Sequence, residues 1–161
     1  PTTLPEWLTY SLYAFILIEA LGAFFLVHEY RLLSNMQSGW DSYGVFDELK
    51  GNNQIQKIIN TFDICLGLAT NLLFLIWVHR ANFNSHQLGA QDMKFSPGWA
   101  VAYYFIPILW FWKPYQAMKE IWLTSKAPQA WQSIASGTIV PWWWFFFLLS
   151  LALNKAGFVS V

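Results

Sequence analysis

The sequence predicts an all-α integral membrane protein with about four transmembrane helices and one amphipathic helix at the membrane surface. Three observations lead there. Hydrophobic residues make up 56% of the 161 and charged residues 11%, too few polar side chains to cover a water-soluble domain of this size. The apolar residues gather in four runs separated by polar stretches. Tryptophan numbers 11 and tyrosine 7, an excess suited to the headgroup level, where amphipathic rings settle. No internal repeat or low-complexity linker divides the chain, so a single membrane domain over 1–161 is expected.

The first run, Trp7 to Val27, holds no lysine or arginine. At about 1.5 Å per residue it crosses roughly 30 Å of hydrocarbon, which defines a first transmembrane helix over 7–27. Pro1 to Glu6 lacks the basic start of a signal peptide, so an uncleaved span is expected. His28 to Lys57 is polar and contains Gly39, Gly44 and Gly51, which reads as an extramembrane loop, with continuation of the first helix into water as the alternative for its start. A second span over 58–78 ends at Trp77 and His79-Arg80, residues that favour an interface. Ala81 to Lys94 is again a polar connection, and Ser96-Pro97-Gly98 signals a new helix start.

The third run, 95–112, is short. Pro107 interrupts its hydrogen-bond ladder, so it either crosses kinked or re-enters the face it came from. Lys113-Pro114 returns the chain to water. An amphipathic helix over 114–126 follows, with Tyr115, Met118, Ile121 and Trp122 on one face and Gln116, Lys119 and Glu120 on the other. The last run, 138–153, opens on Pro141 and Trp142-Trp143-Trp144. Three adjacent tryptophans point around more than half a helix, as an interfacial anchor would.

If all four runs cross, one side carries Arg31, Lys50, Lys57, Lys113, Lys119 and Lys126 against Arg80, Lys94 and Lys155 on the other. That bias places both termini outside the cytoplasm. If the third run re-enters, the bias vanishes.

Nine basic and nine acidic residues leave no net charge, hence no field to attract nucleic acid. Cys65 stands alone in an apolar run, without a disulfide partner. There is no phosphate-binding Gly-Lys-Ser loop, dinucleotide glycine fingerprint or Gly-x-Ser-x-Gly elbow. His28-Glu29 runs on into Tyr30-Arg31-Leu32, without the second histidine of a zinc-protease helix. No catalytic residue, metal ligand or cofactor is therefore predicted; bound lipid is.

Two groups of polar residues are candidate sites. Glu19 lies mid-span in the first helix, where an acid costs about 2.5 to 3.5 kcal/mol. Asn60, Asp63, Gly67, Thr70 and Asn71 form one stripe along the second. Together these outline a polar seam, either a proton- or cation-handling path or a hydrogen-bonded packing interface. Arg80, Asn82, Lys113, Tyr115 and Gln116 flank the third run as headgroup or subunit contacts, or as snorkelling and capping residues. His28, His79 and His86 sit at span ends, which suits interfacial histidines better than haem ligands.

Several motifs fall in a recognisable order: Trp77 to Ala81 (WVHRA) with Asn82, Ser96 to Val101, Pro107, Lys113 to Gln116, Trp122, and Trp142-Trp143. In this the stretch from Ile58 to Trp144 resembles the bacterial membrane-protein family catalogued as domain of unknown function 4328. The resemblance implies the multi-pass helical architecture and supplies no activity. It implies location in a bacterial inner membrane.

The function expected is that of a non-catalytic accessory or structural subunit, packed in the bilayer against other membrane subunits or against itself. A small transporter or channel using Glu19 and Asp63 is the alternative, and a pigment- or haem-binding subunit a third.

Overall fold

The computed structural model describes residues 4–37 and 42–158. Residues 1–3, 38–41 and 159–161 of the expected domain lie outside the described residues. Every regular element among them is helical: α1 (Leu4–Gln37), α2 (Ser42–Gln87), α3 (Pro97–Ala102), α4 (Lys113–Lys126) and α5 (Ile139–Phe158), with 3-10 turns at Leu109–Phe111 and Trp131–Ser133. Two helical stretches, Leu4–Asn35 and Phe46–Gln87, are long and apolar enough to cross a membrane. The chain forms two compact units, Pro1–Phe74 and Leu75–Val161.

In the first unit α1 pairs with the N-terminal part of α2. A Cβ on Gly67 would stand 3.3 Å from the Phe15 ring, and one on Gly22 would stand 3.7 Å from Ile59. Gln56 Nε2 donates to Glu29 Oε2. In these pairs one number falls as the other rises, so the helices run antiparallel. The less exposed positions of α1, among them Leu8, Ser11, Phe15, Ile18, Gly22 and Phe25, alternate steps of three and four. Asn52, Gln56, Ile59, Asp63, Leu66 and Thr70 do the same on α2. That 3.5-residue period is the signature of left-handed supercoil packing.

The stretch expected as a loop, 28–57, is instead helical over 28–37 and 42–57. The seam explains why: Leu32 and Asn52 are buried and Glu29 binds Gln56, so the two helices support each other past their apolar segments despite Gly44 and Gly51.

α2 likewise runs beyond the expected 78, to Gln87. It closes in a Schellman turn. The Ala90 amide donates to the Ser85 carbonyl at 3.2 Å and the Gly89 amide to the His86 carbonyl at 3.1 Å. Gly89 has φ of 86°, a conformation glycine adopts without a Cβ penalty.

The second unit is organised around α4, which packs against α3, α5 and both 3-10 turns. Its Pro114, Ala117, Ile121, Leu123 and Thr124 are buried, together with Val78, Ala100, Val140 and Trp144.

The single helix expected over 95–112 does not form. α3 begins at Pro97 behind an extended Ser96, as the Ser-Pro signal requires, but ends at Ala102. Turns carry the chain through Tyr104 and Phe105. Pro107 has no amide to continue the ladder, and Ile108, with φ of 74°, turns the backbone out of helical geometry. α4 starts one residue before the expected 114 and ends at the expected 126. α5 starts one residue after the expected 138.

Candidate functional site

The polar stripe of α2 divides on folding. Asp63 and Thr70 turn into the seam with α1, whereas Asn60 and Asn71 are exposed on its flanks. Asn71 satisfies itself, its Nδ2 donating to the Gly67 carbonyl at 2.8 Å. Asp63 Oδ1 and Thr70 Oγ1 are buried without a hydrogen-bond partner, as is the Asn52 amide further along the seam. Glu19 sits at the level of Asp63 by the antiparallel register, but it is exposed, on the outward side of α1. The structure thus separates the two acids that the sequence suggested as a pair. The seam gains Glu29, Gln56 and Asn52, from the stretch expected as a loop.

The second unit holds a cleft of about 620 Å³ between α4, the segment after α2 and the turn after α4. Its floor carries Glu120, only 6% exposed. This corrects the expectation of Glu120 on a solvated face. The buried stripe of α4 is Ala117, Glu120, Ile121 and Thr124, at i, i+3, i+4 and i+7. The spacing was visible in the sequence, with small residues flanking the acid, but nothing local said what would cover it.

What covers it is the segment ahead of α3. The Lys94 backbone amide donates to Glu120 Oε1 at 3.2 Å, while Oε2 is buried without a hydrogen-bond partner. Burial pushes the Glu120 carboxyl above the usual carboxylate range. The Lys94 and Phe95 amides and the Lys94 and His86 charges pull it partway back. One turn on, the Thr124 hydroxyl lies 2.8 Å from Ser85 Oγ, and the Ser85 hydroxyl lies 3.0 Å from the Ala81 carbonyl it donates to. On the far wall the Trp131 indole donates to the Gln91 carbonyl at 2.9 Å. These contacts hold the wall segments to α2 and α4.

Of the residues expected to flank the third run, Tyr115 and Gln116 line this cleft. Lys113 lies instead over the rings of Phe95 and Tyr103, 5.5 and 5.8 Å from their centroids. Arg80 is exposed on α2. Asn82, expected at the interface, is fully buried, with neither amide atom hydrogen bonded. A helix-end position predicts exposure for it; burial follows because it shares a face of α2 with the buried Val78 and Ser85, and Ser85 on that face meets Thr124 of α4.

The histidines do not converge. His28 lies 3.6 Å from Glu48 in the first unit. His79 is exposed, and a His86 ring nitrogen lies 3.2 Å from the Phe95 carbonyl oxygen. Among the described residues no group of three or more His, Cys, Asp or Glu side chains could hold a metal ion. The cleft combines carboxylates, lysines and aromatic rings around a desolvated acid, an arrangement suited to binding a charged small group.

The model of a family described as "Domain of unknown function (DUF4328)" matches residues 44–161. No curated protein and no solved structure matches the chain.

Proposed function

This chain belongs to the DUF4328 family, and on that premise we propose that it is a non-catalytic, multi-pass integral membrane protein, an accessory or structural subunit that packs against a larger membrane complex or against itself. Its setting in this reading is a bacterial inner membrane with bound lipid. The observation that carries the proposal is the outward position of Glu19. Around it the exposed surface of α1 is apolar, with Tyr13, Ile16, Leu17 and Phe24 all at least 60% exposed. A carboxylate facing lipid at that depth costs about 2.5 to 3.5 kcal/mol. A helix from another subunit, donating a hydrogen bond to Glu19, removes that cost. Ala20 and Ala23, exposed beside it, let such a helix approach closely.

Native mass spectrometry of the chain purified in mild detergent tests this. The expected result is a homo-oligomer or a stoichiometric partner that is weakened about tenfold by Glu19→Leu. A monomer at micromolar concentration, unchanged by that substitution, overturns the proposal.

A second reading, a small transporter or channel, draws support from the orphaned Asp63 Oδ1 in the seam. It rests on Asp63 without Glu19. Proteoliposome proton or cation flux that persists in Asp63→Asn counts against it.

A further inference from the structure

We propose that the cleft beside α4 binds a zwitterionic aminophosphate, the grouping shared by a phosphatidylethanolamine headgroup and free phosphoethanolamine. The cleft brings two cations, Lys94 and Lys119, to the same space as two carboxylates, Asp92 and Glu120. The ion pairs among the described residues are His28–Glu48 and Lys50–Asp47, so the cleft's charges do not neutralise one another at contact distance. A ligand with a single sign of charge is repelled by half of this set. One carrying both signs satisfies all of it.

The cationic half of such a ligand is the better specified. Glu120 Oε2 is buried and lacks a hydrogen-bond partner, an acceptor that a primary ammonium fills with a charge-assisted bond. Tyr115 and Trp131 line the same cleft, and aromatic faces attract ammonium. The lysine side chains serve the phosphate as point charges. At about 620 Å³ the cleft is large enough for a headgroup and open enough to admit one. The site lies wholly within Leu75–Val161 and is independent of Glu19 and its partner.

Calorimetric titration of the full chain in lipid-free dodecyl maltoside micelles tests the proposal with three probes. These are dioctanoyl phosphatidylethanolamine, dioctanoyl phosphatidylglycerol and phosphoethanolamine. The ethanolamine lipid is expected to bind at least about tenfold more tightly than the glycerol lipid. Lys119→Gln, a half-buried lysine with no hydrogen bond or ion pair to lose, should weaken it about tenfold while leaving the melting curve in place. Glu120→Gln should erase the preference between the two lipids. Asp92→Asn, on an exposed turn residue, should reduce that preference even if Glu120→Gln proves too unstable to measure. Phosphoethanolamine binding as tight as the lipid supports the site with a soluble ligand as its source; binding much weaker than the lipid supports it with a membrane source. Equal affinity for both lipids in the unmodified chain, no binding of any probe, or no response to Lys119→Gln overturns the proposal.

Discussion

The Trp144 indole nitrogen donates to the Phe111 carbonyl at 3.1 Å. This bond joins α5 to the 3-10 turn that replaces the end of the third apolar run. The Trp144 ring also lies 6.4 Å from that of Tyr115 on α4. One tryptophan of an apparently anchoring triplet thus ties three elements of the second unit together.

Trp144→Phe keeps an aromatic ring but leaves the Phe111 carbonyl without its donor. A loss of about 1 to 2 kcal/mol is expected. Trp142 is 59% exposed, and Trp142→Phe should change stability by less than about 0.5 kcal/mol. Thermal unfolding in detergent, followed by circular dichroism, compares the two. Equal effects would show that the triplet acts as a uniform anchor.

Glu120 makes stability depend on pH in a direction opposite to that of a salt-bridged acid. Its carboxyl is raised by burial, so the folded chain holds the proton more tightly than the unfolded chain does. The contribution is most favourable below the ordinary carboxylate value of about 4.3 and is lost as pH rises through the raised value. Glu120→Gln removes this dependence. The melting temperature of the unmodified chain minus that of the variant should therefore fall as pH rises from that value. A difference that grows with pH would mean that Glu120 is stabilised as a carboxylate.

The seam of the first unit is tightest at Gly67, where an added Cβ meets the Phe15 ring at 3.3 Å. Gly67→Leu is expected to overpack the pairing of α1 with α2, at a cost of about 1 to 3 kcal/mol. At Gly22 the corresponding neighbour, Ile59, is at an ordinary 3.7 Å. There alanine's higher helix propensity, worth up to about 1 kcal/mol, should hold or raise stability. Unfolding of the two variants side by side gives the answer, and a Gly67→Leu variant as stable as Gly22→Ala would rule out close packing at Phe15.

The local features of this chain were legible in its residues. The helix start at Ser96-Pro97 and the helix opening at Lys113-Pro114 follow from patterns a few residues wide, the two segments long and apolar enough to cross a membrane from continuous apolar runs, and the family from motifs in a fixed order along the chain. The tertiary structure decided which polar groups are covered. Asp63 and Thr70 turn inward while Asn60 and Asn71 stay out, because α1 covers only one edge of their shared stripe. Glu120 is buried because the Lys94 segment, 26 residues earlier, folds across it. Thr124 finds Ser85 across 39 residues. The third apolar run breaks at a proline visible from the start, yet where the broken pieces rest depends on α4 and on Trp144. Helix starts and hydropathy are encoded by neighbours in sequence. Burial is set by neighbours in space, and that is what turned an apparently solvated glutamate into the floor of a cleft.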